Sequence, residues 1–489
     1  MNKYLIKIAK QAEKQEGLRP HQERALAKLD QTGGVILDHS TGSGKTRTFL
    51  EAVARAQKEN KEGHALVIAP ASLISNIDKE IAKHKVKVDK ARLHAYSYEK
   101  ATNIAAELKK EKYDIAVFDE AHKLRNTDTK RHQELTEVVQ HARKKVLATA
   151  TTAYNHPSDI APLVNIVAGD KVLPQDKKSF DNRFIDKIQE QPPLLKRILG
   201  AAPQEKHVLK NKKELKDKLN KYIDHYDLAD DPAAKDKFPE RIEKTVEVPM
   251  SAQQQAVYKY LEGQLPWHLR LKVRMNMPLD KKDSANLNAF SSGIRQASNS
   301  VRPFMPKYEE VTPKIRAAVD SLEESHTKDK NFRGVVYSNY IHAGLADYSR
   351  ELTKRGIPHI AFHGAMSKKQ KDEAVKAYNE GRVKTLLISS SGAEGLDLKG
   401  TKKIQILEPH FNDSKITQVK GRGIRFGSHD HLPKEERKVE VENYISTFQP
   451  NKFNFGPKQH SIDSYLRYNS ATKKQVTDEM KNLLKNNEK

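Results

Sequence analysis

Val35-Ile36-Leu37 and, one residue on, His39-Ser40-Thr41-Gly42-Ser43-Gly44-Lys45-Thr46 form an apolar run closed by a glycine-rich turn, which opens into a helical pattern with Phe49, Leu50, Val53 and Ala54 on one side. Strand, turn and helix in that order are the context a phosphate-binding loop requires. Gly42 and Gly44 let the backbone turn so that its N–H groups face an anion, and the helix that follows presents its positive end to the same place. Thr41 and Ser43 complete the cradle. Lys45 is expected at the β and γ phosphates of ATP, and the Thr46 hydroxyl on Mg²⁺. Average residue usage produces Thr-Gly-x-Gly-Lys-Thr by accident in about one chain of this length per thousand. The usual loop begins with Gly or Ala, whereas this one begins with His39.

Outward from the loop, apolar runs recur at residues 65–68, 115–118 and 146–148, separated by stretches long enough for crossover helices. That rhythm predicts a buried parallel sheet. A second set, at 334–337, 359–361, 385–388 and 404–407, is spaced the same way by helical stretches at 343–355 and 367–380. Two α/β domains are expected. The segment between them is Lys-rich, Asn-rich, interrupted by Pro and mostly helical in pattern. The division is therefore a first lobe at 1–167, a mainly helical insertion and linker at 168–310, a second lobe at 311–460 and a helical tail at 461–489.

The length of 489 residues fits about three structural units, and the 37% of hydrophobic residues suffices for cores of that size. A formal charge of +24 favours a polyanionic partner, most simply nucleic acid. Cysteine is absent, which excludes disulfides, thiolate zinc sites and cysteine nucleophiles. No run of about 18 apolar residues is present to cross a bilayer. The first 17 residues read as an amphipathic helix and not a signal peptide, so the cytoplasm is the expected compartment, with the nucleus as the alternative given the Lys clusters. Those clusters, notably Lys206 to Lys221, are either a solvated helix face or a surface for backbone phosphates. Trp267, the single tryptophan, sits among basic residues and reads as a core anchor of the insertion ahead of a base-stacking platform. His429-Asp430-His431 reads as a solvated loop, since no further ligands stand at metal-site spacing.

Two further segments carry chemistry. Leu18-Arg19-Pro20-His21-Gln22 precedes the loop and supplies, in Gln22, an amide able to pair with adenine N6 and N7 together. The run ending at Phe118 delivers Asp119-Glu120-Ala121-His122 at a strand's carboxyl end, where α/β sheets present ligand sites. Asp119 is expected to hold Mg²⁺, and Glu120 to orient and deprotonate the attacking water.

The order RPHQ, HSTGSGKT, APASLISN, DEAH, ATATT, SSSGAEGLDL and QVKGRGIR resembles that of superfamily 2 nucleic-acid motors. Within them the chain is similar to Swi/Snf-type translocases, through residues 149–155, and to viral nucleoside triphosphate phosphohydrolases, through Gly423-Ile424-Arg425-Phe426, Ser428-His429 and Leu432-Pro433. Ala150 and Thr152 depart from the Swi/Snf pattern, which has Gly and Pro there. The resemblance covers about 300 residues. It implies two RecA-like P-loop NTPase lobes around the insertion and an ATP-dependent helicase or translocase. It also implies that Arg19 joins Gln22 at the base, that His122 belongs to the hydrolytic set, that Gly395 and Asp397 serve the nucleotide, and that Arg422 and Arg425 reach the γ-phosphate. Pro70, Ala71, Ser72, Ser97, Tyr98, Ser391 and Gly392 are the nucleic-acid contacts it implies. The expected track is DNA, whether duplex, forked or branched, with RNA as the alternative. A second reading makes the chain the NTPase subunit of a viral transcription or genome-handling complex, with protein partners and little unwinding of its own.

Overall fold

The computed structural model describes residues 17–150, 156–190, 204–228, 230–232, 237–277, 279, 281–364, 366–389, 396, 398–410, 413–450 and 459–485. The chain forms two units, one of residues 1–188, 206–231 and 475–489, the other of residues 189–205 and 232–474.

In the first unit, β1 (Gly34–His39), β2 (His64–Ala69), β3 (Leu93–Ser97), β4 (Tyr113–Asp119) and β5 (Lys144–Thr149) lie where the apolar runs predict strands, except β3, which the sequence pattern did not announce. A ribbon of β6 (Ile185–Glu190) and β7 (Gln204–Leu209) follows, and then β8 (Ile223–Tyr226), which returns to the main sheet. The order is β3-β2-β4-β5-β1-β8, and every pairing is parallel. Parallel strands covered on both faces read as continuous apolar runs, which is why β1, β2 and β4 stand out in the sequence. Ile36, Leu66, Ile68, Phe118 and Leu147 face a core shared with helices Ala161–Ala168 and Lys212–Tyr222. Val35, Leu37, Val67, Val117 and Val146 face the other, against helices Pro20–Thr32 and Lys45–Glu59. Each such side chain contributes about 1.5–3 kcal/mol on burial, so the sheet is the rigid frame on which the loops are mounted.

The Lys-rich helix Lys212–Tyr222 buries Leu215, Leu219 and Tyr222 in this unit. Of its cations, Lys212 pairs with Glu479, Lys218 donates to the Val172 carbonyl at 2.8 Å and Lys221 lies over the Tyr222 ring. These are structural partners, and they favour the solvated-face reading of the cluster. Val476, Met480 and Leu484 of the last helix, Ile462–Lys485, join the first unit's core.

The second unit is built on β9 (Glu240–Pro249), β10 (Gly334–Ser338), β11 (His359–Phe362), β12 (Thr385–Ser389), β13 (Lys403–Ile406) and β14 (Lys438–Thr447), in the order β11-β12-β10-β13-β14-β9 and again wholly parallel. Strands β10 to β13 match the second set of apolar runs. Val335, Tyr337, Leu386, Ile388, Ile404 and Ile406 form one core, and Val336, Leu387 and Tyr444 pack on the opposite side with Ile315 and Leu322 of helix Pro313–Lys328. The fold is therefore α/β with two parallel-sheet domains, and the helices Ala252–Gly263, Trp267–Arg274, Lys281–Phe290 and Ser292–Asn299 lie within the second unit, between β9 and β10 in sequence. Trp267 is not the core anchor expected: its side of the short helix faces out, 71% exposed, while Leu269 and Val273 take the buried positions. Among the described residues no helix is long and apolar enough to cross a membrane.

Gly34 opens β1 against the backbone of helix Ala161–Ala168, and a Cβ there would lie 2.2 Å from the Val167 carbonyl oxygen. Gly34→Ala is expected to destabilise the first unit by about 3 kcal/mol in urea unfolding, because the obstruction is main chain that cannot move aside. Gly421→Ala, whose Cβ meets nothing within 4 Å, serves as the control and is expected to leave stability unchanged or slightly raised.

Candidate functional site

Strand direction builds the site in the first unit. With all strands parallel, the segments leaving β1 to β5 emerge at one edge of the sheet. Register places Asp38 beside Thr149, Asp119 beside Ala148, Phe118 beside Ile68, and Ala69 beside Ser97. Residues 39–46, 119–122, 70–72 and 97–98 are thereby brought to one rim.

The phosphate loop has the backbone its glycines permit. Gly42 and Gly44 stand at φ of 85° and 92°, left-handed values that L side chains adopt at a cost, and Ser43 N donates to Ser40 O at 3.2 Å. Gly44 is the residue from which helix Lys45–Glu59 departs. Thr41 and Gly42 are exposed, Ser43 is buried, and Gly44, Lys45 and Thr46 are half-buried. The Lys45 ammonium donates to the carbonyls of His39 at 2.7 Å and Ser40 at 3.2 Å. Burial lowers its pKa, and the opposing attractions of Glu120 and Asp119 do not fully offset that.

Arg19 and Gln22 form a capping pair at the start of helix Pro20–Thr32: Gln22 Oε1 accepts from Arg19 N at 2.9 Å, while its Nε2 donates to Gly44 O at 3.2 Å. Gln22 is buried and Arg19 exposed. The amide expected at the base is thus tied to the phosphate loop, and a Cβ on Gly44 would come within 2.7 Å of it.

At the end of β4, burial first and Glu120 second push the Asp119 carboxyl up to about 6, against the pull of Lys45. Glu120 adopts φ 53°, ψ 46°, the left-handed conformation that glycine, and seldom any other residue, occupies. Strain of that kind costs about 1–3 kcal/mol and persists where surrounding structure dictates it. Part of that structure is Tyr98, fully buried, whose hydroxyl donates to the Asp119 carbonyl at 2.8 Å. His122 Nδ1 lies 3.2 Å from Glu120 Oε2. Ser97 caps the helix Tyr98–Asn103 by accepting from Lys100 N, and Pro70 caps Ala71–Ile74, of which Ala71 is exposed; the Ser72 side chain lies outside the described residues.

In the second unit, helix Asp413–Gly423 carries Arg422 in its last turn but stops before Arg425. A spacing of three residues would set the two arginines on one face of a continuing helix, but the helix gives way to a turn closed by Ser428, whose Oγ accepts from Arg425 N and donates to Arg425 O at 2.7 Å. The Arg425 guanidinium donates to the Leu396 carbonyl at 3.3 Å. His429 is buried, bonded to the Thr401 carbonyl and to Ser428, so the solvated-loop reading fails at that residue, while Asp430 and His431 are exposed as expected; among the described residues no cluster of metal-ligating side chains occurs. Ser391, Gly392, Gly395 and Asp397 lie outside the described residues, as do residues 151–155 and the N-terminal stretch through 16.

One part of the site was missed by sequence reasoning. Strand β8 pairs with β1 and brings Asp224 to His39 and His225 to Asp38, both at 2.7 Å. Its only sequence signal is the dipeptide Asp-His at both 38–39 and 224–225.

A parallel sheet with a Gly-Lys-Thr turn after one strand and, after another, an acidic pair in the field of that lysine defines a P-loop nucleoside triphosphate hydrolase. Comparison with known proteins carries this further. The chain matches the SNF2-related domain over residues 88–303, the helicase conserved C-terminal domain over 314–427, and the type III restriction enzyme res subunit over 15–154. A protein of Acanthamoeba polyphaga mimivirus named as ATP-dependent RNA helicase L538 is 32% identical over 476 residues, 94% of each chain. A termination factor NPH-I homolog of African swine fever virus is 23% identical over 93% of this chain and 76% of its own. Among solved structures, the Sulfolobus solfataricus SWI2/SNF2 ATPase core in complex with dsDNA aligns over 96% of this chain and 97% of its own, at 19% identity and a TM-score of 0.38. The chain belongs to the superfamily 2 helicases of the Swi/Snf-like kind, and is an ATP-dependent motor acting on nucleic acid.

The Asp119 shift gives a test. A carboxyl raised to about 6 binds its proton more tightly in the native state than in the unfolded chain, where its pKa is near 3.8. Native stability therefore falls as pH rises between these values, and above them a penalty of about 2–3 kcal/mol is fully present. Asp119→Asn is expected to raise the urea stability of the metal-free protein by up to about that amount at pH 8, with the gain fading toward pH 4, while ATP turnover is lost.

Proposed function

We propose that the chain is a motor that tracks along DNA, hydrolysing ATP with Mg²⁺ at the rim of the first sheet. The observation that carries this reading is the convergence of the phosphate loop and the Asp119-Glu120 pair on one edge, with Lys45 in the field of both carboxylates. In this reading residues 1–167 are the ATP-binding lobe, 168–310 the insertion and linker, 311–460 the second lobe and 461–489 the tail, with β8 lent by the insertion to the first sheet.

Backbone N–H groups of Gly42, Ser43 and Gly44, beside Thr41, cradle the phosphates, and Lys45 leaves the carbonyls of His39 and Ser40 for the negative charge of the nucleotide. A buried carboxylate raised by an acidic neighbour fits a divalent cation, which Asp119 and the Thr46 hydroxyl would hold and which would neutralise phosphate charge. Glu120, fixed in its left-handed conformation, takes the proton of the attacking water, and His122 keeps that carboxylate oriented. Arg19 and Gln22 are assigned to the base, Gly395 and Asp397 to the nucleotide, and Arg422 and Arg425 to the γ-phosphate during turnover. Pro70, Ala71, Ser72, Ser97, Ser391 and Gly392 are assigned to the nucleic-acid backbone. Tyr98, having no exposed face, acts on that surface only by holding Asp119.

The net charge of +24 suits a nucleic-acid track of either kind, and DNA is preferred because of the Swi/Snf-like match. The mimivirus relative is named for RNA, so the decisive experiment measures ATP hydrolysis with single-stranded, duplex, forked and four-way DNA and with RNA. Duplex or branched DNA is expected to stimulate most; stimulation by RNA alone would overturn the choice. The similarity to a viral termination factor favours a second reading, in which the chain is the NTPase of a transcription complex in the cytoplasm of a host cell. Gel filtration with candidate partners, set beside strand-displacement assays of the isolated chain, separates the two. Arg425→Ala is expected to lower kcat at least about a hundredfold with modest change in nucleotide affinity, and an unchanged rate removes it from the site.

A further inference from the structure

The edge strand β8 and the residues after it meet the phosphate loop position by position. Ser40 N donates to Tyr226 O at 2.9 Å, and Ser40 Oγ accepts from Leu228 N at 2.9 Å. On one face of the strand pair, His225 Nδ1 donates to Asp38 Oδ2 at 2.7 Å. On the other, His39 Nε2 donates to Asp224 Oδ1 at 2.7 Å, both side chains having at most 1% exposure. Arg24 adds its Nε to Asp224 Oδ2 at 2.7 Å. From the same helix, His21 stacks on Tyr226 with ring centroids 3.6 Å apart and donates to the Ser43 carbonyl at 3.0 Å.

We propose that Asp224 is a positioning residue for nucleotide binding, fixing the first residue of the phosphate loop through His39. The inference rests on residues 39–46 being the nucleotide site. His39 is held at two ends: its ring by Asp224, and its carbonyl by the Lys45 ammonium at 2.7 Å. Orienting the ring therefore orients the resting place of the cation that meets the phosphates. A Gly or Ala in that position has no side chain to be held, so the histidine and the aspartate 185 residues later are one device.

The crossed pairs also set register. Parallel pairing puts Leu37 opposite Asp224 and Asp38 opposite His225. A slip of one residue would set Asp224 against Asp38, two carboxylates face to face, and break both histidine bonds. A strand with a single aliphatic residue, Ile223, has little other means of specifying its register.

The test is a double-mutant cycle on the full chain, with affinity for a fluorescent N-methylanthraniloyl ATP as the readout. Asp224→Asn is expected to weaken binding about ten- to a hundredfold, while circular dichroism and nucleotide-free, salt-dependent DNA binding stay as in the wild type. In a His39→Ala background the same change is expected to add less than about twofold, because the partner is already gone. Unchanged affinity in folded Asp224→Asn, or a double mutant whose loss equals the product of the two single losses, overturns the inference. Should Asp224→Asn fail to fold, His39→Ala decides alone, and wild-type affinity in that variant overturns it. A wild-type chain that does not bind the probe overturns the nucleotide reading itself, and this inference with it.

Discussion

Parallel pairing on both sides of β1 is the constraint from which the site follows. A strand hydrogen-bonded to β5 on one side and β8 on the other has no freedom to shift, and the turn that leaves it starts from a fixed point. The same parallel arrangement brings the end of β4 to the same rim, so two segments some 75 residues apart in sequence meet without any long-range signal between them. In an antiparallel sheet, alternate strand ends would point away from each other and no such rim would exist.

Electrostatics then divides the labour at the rim. Lys45 is desolvated and Asp119 resists ionisation, yet each partly stabilises the charge on the other. The balance is left incomplete, with one ammonium facing two carboxylates, and a site in that condition favours whatever brings a compensating set of charges. Magnesium nucleotide is such a set. Around it the neutral framework is dense: the buried Tyr98 hydroxyl on the Asp119 carbonyl and the Gln22 amide on the Gly44 carbonyl hold main-chain atoms, not charges.

Much of this was legible in the sequence because it is local. The phosphate turn declares itself within eight residues, and the Asp-Glu pair follows an apolar run that only a strand covered on both faces needs to have. Strands β9 and β14 were not legible. Glu240–Pro249 lies at a sheet edge and is charged at five of its ten residues, and β14 interleaves Glu440 and Glu442 with valines, Glu442 being buried against Lys403. Their charges find partners in space, which composition cannot reveal. Trp267 misled because hydrophobicity argues for burial while its place on a one-turn-wide apolar stripe, set by Leu269 and Val273, argues against it. The arginine pair misled because helical spacing presumes a continuing helix, and the Ser428 turn ends it. Least legible was β8, whose partners stand 185 residues upstream.

That separation bears on how the molecule is made. While β8 is still inside the ribosome, the sheet of the nascent first lobe ends at β1, and the open hydrogen-bonding edge of that strand is a template for unwanted association. A fragment cut at the outwardly sensible boundary near residue 167 would keep the whole Gly-Lys-Thr sequence and still carry that naked border. Expression of the lobe by itself has to extend past Leu228 for that border of β1 to be covered by the short, charged strand that pairs with it.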